Sequence, residues 1–283
     1  MSDNILELIG ISYAYTNEQK ALRDISLGIK AGERIAILGN NGAGKSTLFL
    51  NCNGVLTPRK GRRLLRGREI GRKKSELMEL RREVGIVFQD PDRQFVAPTA
   101  EGELSFGPLN LGLTMEQAAK RIGEVMALLD IEHLRGRAPH TLSGGEKKLL
   151  GIGGVLAMGP SVILMDEPAA GLDPQNCLMF EKVLAEIQKP DMALAVSTHD
   201  VDFAWRWAGR IIVMHKGSVL ADGSPLDVFS HIEVIKKAGL IRPSLMEVTD
   251  ILKQKGYLAE DARPAKTHDE LGRMLGQRNG YGG

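Results

Sequence analysis

Short apolar runs punctuate the chain, and each stops abruptly at polar residues. Residues 34–38, 161–165, 192–196 and 210–214 are of this kind, and residues 84–88 resemble them. A strand with one wet face would alternate, so continuous runs of this length read as strands buried on both faces of a parallel sheet. Helix-period segments lie between them. The clearest opens on Thr114-Met115-Glu116-Gln117, a capping-box sequence, and continues with Ala118, Ile122, Val125, Met126 and Leu129 on one face. A second helix is expected from near Glu146 towards Met158, after the turn Ser143-Gly144-Gly145. Strand and helix patterns in alternation predict an α/β fold with a largely parallel sheet. Residues 5–11 and 21–29 alternate only in part and are expected as further strands. Beyond Gly217 the pattern weakens. Helices are expected at 225–229, 231–238 and 244–255, then a polar, Gly-rich, mobile tail over 261–283.

Composition narrows the picture modestly. The 283 residues allow one large domain, or one domain with an appendage. A net charge of +2 does not mark a nucleic-acid binder. The basic residues crowd one segment, from Arg59 through Arg63 and Arg68 to Arg82, where short antiparallel strands and one helix are expected. A solvated face is the first reading of that segment, and contact with anionic lipid headgroups the second. Cys52 and Cys177, the only cysteines, have no metal-type spacing, and a reduced cytosolic chain is expected. The N-terminus lacks the pattern of a signal peptide. No apolar run approaches the roughly 18 residues that span a bilayer. Any membrane process this chain serves would therefore need another chain for the pore.

Candidate chemistry sits where the apolar runs end. Gly39, Asn40, Asn41, Gly42, Ala43, Gly44, Lys45, Ser46 and Thr47 match G-x-x-x-x-G-K-[ST], with a strand pattern before them and a helix pattern after. Backbone amides freed by the glycines can turn towards phosphates. Lys45 adds a positive charge, and the Ser46 hydroxyl can hold Mg²⁺. Asp166 and Glu167 end the run 161–165, where a P-loop fold places its Mg²⁺ partner. Gln89 ends the run 84–88, ahead of a loop marked by Pro91 and Pro98. His199 follows the run 192–196, and Tyr13 and Tyr15 each offer an aromatic face that can stack on adenine.

With these motifs in this order, the chain resembles the ATP-binding cassette (ABC) ATPases over roughly residues 4–240. The resemblance assigns Walker A to Gly39 through Thr47, the Q-loop to Gln89 and Walker B to residues 162–166. It assigns the catalytic glutamate to Glu167, the D-loop to Ala170-Gly171-Leu172-Asp173 and the switch histidine to His199. Tyr15 becomes the adenine-stacking aromatic. The signature Leu-Ser-Gly-Gly-Gln falls on Leu142, Ser143, Gly144, Gly145 and Glu146, with Glu in the last place. Gln89-Asp90-Pro91-Asp92-Arg93-Gln94-Phe95 and the stretch 106–113 look like the energy-coupling-factor branch, which drives uptake of metals and vitamins. Residues 197–202 with Trp205-Arg206-Trp207-Ala208 look like its cobalt or nickel members, cobalt more closely.

The resemblance implies a RecA-like parallel-sheet core, an antiparallel β subdomain and a helical subdomain carrying the signature. Residues 1–240 would form the nucleotide-binding domain, 241–260 a helical extension and candidate dimer contact, and 261–283 the tail. ATP and Mg²⁺ are the implied cofactors, with Ser46, Gln89 and Asp166 as metal residues and Glu167, Gln89 and His199 as catalytic ones. Ser143, Gly144, Gly145 and Glu146 would meet the nucleotide held by a second ATPase chain, a copy of this one or a paralogue. A transmembrane coupling subunit and a separate substrate-binding membrane subunit are the other implied partners. The apolar anchor for the coupling subunit is expected at Phe95 and in the stretch 106–113. Nickel or vitamin uptake remains an alternative, as does a soluble ABC ATPase acting on nucleic acid or ribosomes. The short stretch from Gln89 to Leu142, without sustained heptads, speaks against repair ATPases, and the single cassette against translation factors.

Overall fold

The computed structural model describes residues 3–16 and 20–276. The chain begins with β1 (Asn4–Ala14) and β2 (Lys20–Lys30), which pair antiparallel, and continues into β3 (Arg34–Leu38). Helix α1 (Lys45–Asn53) follows, then β4 (Lys60–Leu65), β5 (Arg68–Ile70), α2 (Lys74–Glu83) and β6 (Val84–Val87). A helical excursion comes next, with α3 (Ala100–Asn110), α4 (Met115–Leu128) and α5 (Gly144–Ala157). The chain re-enters the core through β7 (Val162–Asp166), α6 (Pro174–Ile187), β8 (Ala193–Thr198), α7 (Val201–Trp207), β9 (Arg210–His215) and β10 (Ser218–Gly223). It ends in α8 (Pro225–Ser230), α9 (Ile232–Ala238), α10 (Ser244–Gln254) and α11 (His268–Gly276).

Two sheets result. One is four-stranded and antiparallel, in the order β2-β1-β4-β5. The other is six-stranded, in the order β10-β9-β3-β8-β7-β6, parallel except for β10 at its edge. The continuous apolar runs are explained by its two covered faces. Ile35 and Ile37 of β3, with Val162 and Leu164 of β7, pack towards α1 and the antiparallel sheet. Ala36, Leu38, Ile163 and Met165 face the other way, towards the helices. The period of two along each strand thus feeds two cores.

Local signals account for most helix starts. Thr114 caps α4 through its predicted capping box with Gln117. Asp173 caps α6 and Asp200 caps α7, each accepting from an amide three residues on. Helix α5 starts at Gly144 rather than near Glu146, because Ser143 and Glu146 form a capping box of their own.

Two expectations need correction. The stretch 261–276, read as a mobile tail, has a defined place: Ala265 is fully buried, its carbonyl accepts from Trp205 Nε1 at 2.8 Å, and its amide donates to Thr249 Oγ1 at 3.2 Å. The binding partners lie on α7 and α10, far away in sequence, so the local polarity of the tail did not report them. Residues 277–283 lie outside the described residues. The basic segment is not simply a wet face either. Arg63 is 2% exposed and donates to the carbonyls of Asn51 and Leu56, at 2.8 and 3.4 Å. Arg81 donates to Gly54 O, while Arg66 pairs with Glu83 and Arg68 with Glu79.

Candidate functional site

Sheet register gathers the motifs. Leu38 at the end of β3 pairs with Thr198 at the end of β8, and Asp166 at the end of β7 pairs with Ser197. The parallel neighbours therefore deliver the P-loop, the Asp166-Glu167 pair and His199 to one edge of the sheet, where α/β folds bind ligands. β6, paired with β7 through Val87 and Met165, brings Gln89 to the same edge.

A cleft of about 880 Å³ opens there, lined by Asn40 through Thr47 together with Tyr15, Gln89, Glu167 and His199. Gly39 and Gly44 shape it by backbone geometry. Both have positive φ, and a Cβ would run into the Met214 carbonyl at Gly39 and the Ala21 carbonyl at Gly44. The loop leads into the N-terminus of α1, whose first amides have no partner within the helix, a ready anion site. Lys45 reaches back across the loop and donates to Gly39 O at 2.6 Å. Tyr15 stands at the rim, 52% exposed, edge-on to Tyr13 and with its hydroxyl 3.1 Å from Thr47 Oγ1.

Glu167 is held between two nitrogen groups. Its Oε1 lies 3.3 Å from Lys45 Nζ, a charge contact not aligned as a hydrogen bond. Its Oε2 lies 3.0 Å from His199 Nδ1. With the carboxylate ionised, Nδ1 is the donor of that bond. The Glu167 backbone has φ of 46°, a left-handed conformation that costs a non-glycine residue about 1–3 kcal/mol. Ser197 compensates. Its carbonyl and its hydroxyl both accept from the Glu167 amide, at 3.1 and 3.0 Å. The same hydroxyl donates to Asp166 Oδ1 at 2.6 Å and orients that carboxylate. Sequence reasoning passed over Ser197. The one available signal was a hydroxyl residue at the polar end of an otherwise apolar strand.

Ser46 and Gln89 border the main cleft, and Gln89 and Asp166 an adjoining one of about 710 Å³. Hydroxyl, amide and carboxylate oxygens are the donors that a small hard cation prefers, so this set fits Mg²⁺.

The signature is placed apart. None of Ser143, Gly144, Gly145 and Glu146 lines the cleft of its own chain. The Glu146 carboxylate is committed to its own helix. Oε2 accepts from the Ser143 amide at 2.7 Å, Oε1 accepts from Arg137 at 3.1 Å, and His133 lies 3.7 Å away. Hydrogen bonds from Ser143 hold this carboxyl below the usual range. The departure from the usual Gln has a local consequence, a charged capping box.

The residues expected to face a membrane partner differ in exposure. Phe95 packs partly buried against the helix-side core, whereas Val96 is 67% and Phe106 55% exposed. Trp205 and Trp207 are buried. Trp205 meets Phe229 edge-on, and Trp207 stacks on Phe203. The tryptophans that suggested a metal transporter do structural work here.

Fold and site together define a P-loop nucleotide-binding ATPase. Residues 22–170 match the family model described as ABC transporter. The chain is 44% identical over 251 residues to the energy-coupling factor transporter ATP-binding protein EcfA of Methanocaldococcus jannaschii, covering 89% of this chain and 90% of that one. It is 38% identical over 273 residues to the EcfA protein of Methanothermobacter thermautotrophicus, covering 96% and 88%. Among solved structures, cbiO1 from Clostridium perfringens, described as part of the ABC transporter complex cbiONQ, superposes with a TM-score of 0.75 at 40% identity, covering 89% of this chain and all of that one. The chain belongs to the ATP-binding proteins of ABC transporters, of the energy-coupling-factor type, and is an ATPase. Among the described residues no helix is long and apolar enough to cross a membrane.

Proposed function

We propose that this protein works as a dimer, a homodimer in the simplest case, on the inner face of the cell membrane. There it would couple ATP binding and hydrolysis to uptake of a transition-metal ion, cobalt foremost. The observation that carries the dimer is the separation of the signature from the cleft of its own chain. Ser143 and the first amides of α5 form an anion-binding helix N-terminus. In a head-to-tail pair, that end would close over the phosphates held by the other chain's Gly39–Thr47 loop. The resemblance of residues 197–202 and Trp205-Arg206-Trp207-Ala208 to cobalt members favours cobalt, and nickel or a vitamin is the second reading. A transmembrane coupling subunit and a separate substrate-binding membrane subunit would complete the transporter.

Within each site, Lys45 and the loop amides would hold the β- and γ-phosphates. Ser46, Asp166 and Gln89 would hold Mg²⁺, which neutralises phosphate charge when bound. Glu167 would accept the proton of the attacking water, and His199 would steady Glu167. Such catalysis is mostly positioning and charge neutralisation.

The experiment is co-purification from native membranes, followed by reconstitution and uptake of radiolabelled cobalt, nickel and vitamins. Integral membrane partners and ATP-dependent cobalt uptake are expected. Ribosomes or DNA in place of membrane chains would overturn the transporter reading, and uptake of another cargo would overturn cobalt alone. Light scattering of the Glu167→Gln protein should show an ATP-dependent compact dimer, lost on adding Ser143→Arg.

A further inference from the structure

Helix α5 carries a second feature besides the signature at its start. Lys148 lies one turn in and is only 7% exposed, and among the described residues it forms no ion pair. Its ammonium donates to Gln89 O at 2.9 Å, and the side chain lines the adjoining cleft with Gln89 and Asp166. Two neighbouring contacts run in parallel: Lys147 pairs with Asp92 at 2.8 Å, and Gln94 Nε2 donates to Gly151 O at 3.4 Å. One face of the signature helix is thus bonded to the 89–94 segment.

A buried ammonium is an expensive way to fill this space. Desolvation pushes Lys148 below the usual lysine range, with Asp90 and Glu167 offsetting it only through longer-range attraction. An apolar side chain of the same length would avoid that desolvation cost. What it would lack is a donor for the Gln89 carbonyl.

We propose that Lys148 is a positioning residue for the ATPase reaction: its ammonium fixes the main chain at Gln89 and ties the signature helix to the side chain that enters the cleft. The proposal rests on the reading of Gln89 as a cleft residue. A shift of α5 then moves Gln89 directly, because the 2.9 Å bond joins rigid helix to loop.

The test uses Lys148→Met and Lys148→Arg, each in the wild-type and Gln89→Ala backgrounds, with the full chain throughout. Three quantities are read: kcat and KM for ATP, hydrogen exchange at the amides of 88–95, and melting temperature. Lys148→Met should stay folded, with at most a small drop in melting temperature, and exchange faster across 88–95. Its kcat should fall about ten- to hundredfold, as for other groups that hold a reacting-site ligand in place. KM should stay within about twofold. Lys148→Arg, which keeps a donor, should recover most of the loss. In the Gln89→Ala background Lys148→Met should add nothing. Unchanged exchange with wild-type kcat in Lys148→Met overturns the proposal, as does an equal loss in both backgrounds. Full activity in Gln89→Ala alone overturns it through Gln89, with the exchange data showing whether Lys148 still holds the loop. If the Met protein fails to fold, Lys148→Leu, which also lacks a donor, carries the same readings.

Discussion

Lys45 Nζ lies 3.3 Å from Glu167 Oε1, so the phosphate-binding cation of the P-loop touches the candidate base. The two follow β3 and β7, strands separated in the sheet by β8, and they meet because parallel register brings both strand ends to one edge. One side chain can then serve both the charge of the phosphates and the placement of the base.

Glu167→Gln follows from this arrangement. The amide keeps the shape and the contact with His199 but cannot accept a proton from water. Turnover should fall by about 10²–10⁴-fold while ATP binding persists. Lys45→Ala should weaken ATP binding itself. Steady-state hydrolysis and equilibrium nucleotide binding on the two variants separate these roles, and turnover within twofold of wild type in Glu167→Gln would remove it as the base.

Ser197 makes a prediction that sequence motifs do not. Ser197→Ala removes the bond to Asp166 Oδ1 and one acceptor for the Glu167 amide. Two groups lose their orientation while the strand stays intact. The expected result is a kcat about ten- to hundredfold lower and a raised Mg²⁺ requirement. Ser197→Thr should recover part of both. A fully active Ser197→Ala protein would confine the hydroxyl to packing.

Coupling to a membrane partner should depend on Phe106 rather than Phe95, because Phe106 is exposed and Phe95 is packed against the core. Phe106→Asp should leave isolated ATPase activity and melting temperature close to wild type and abolish co-purification with membrane chains. A buried aromatic anchor is worth about 2–4 kcal/mol at an interface. Wild-type assembly of a folded Phe106→Asp protein would rule this residue out.

Arg63 should matter for stability and not for turnover. Truncation to Ala leaves the carbonyls of Asn51 and Leu56 without this donor in a buried place. A loss of about 2–3 kcal/mol is expected, measured by urea unfolding. A neutral result would return Arg63 to the solvated face that its basic neighbourhood suggested.

What the sequence determined alone is local. The P-loop, the capping box at Thr114 and the buried strands are set by residues within a few positions of one another, and each appears where its pattern placed it. The order of motifs was enough to place the chain in its family. What only the tertiary structure decided depends on partners far along the chain. Ser197 matters because β8 pairs with β7, and Lys148 because α5 packs on the 89–94 segment. Ala265 is buried because Trp205 and Thr249 lie beneath it. Phe95 and Phe106 look alike as sequence, and only packing turned one inward and left the other in solvent. Hydrophobic period and turn chemistry act over a few residues, so they are legible in a string. Burial and hydrogen bonding of a single polar side chain depend on which elements meet, and sheet register and helix packing decide that.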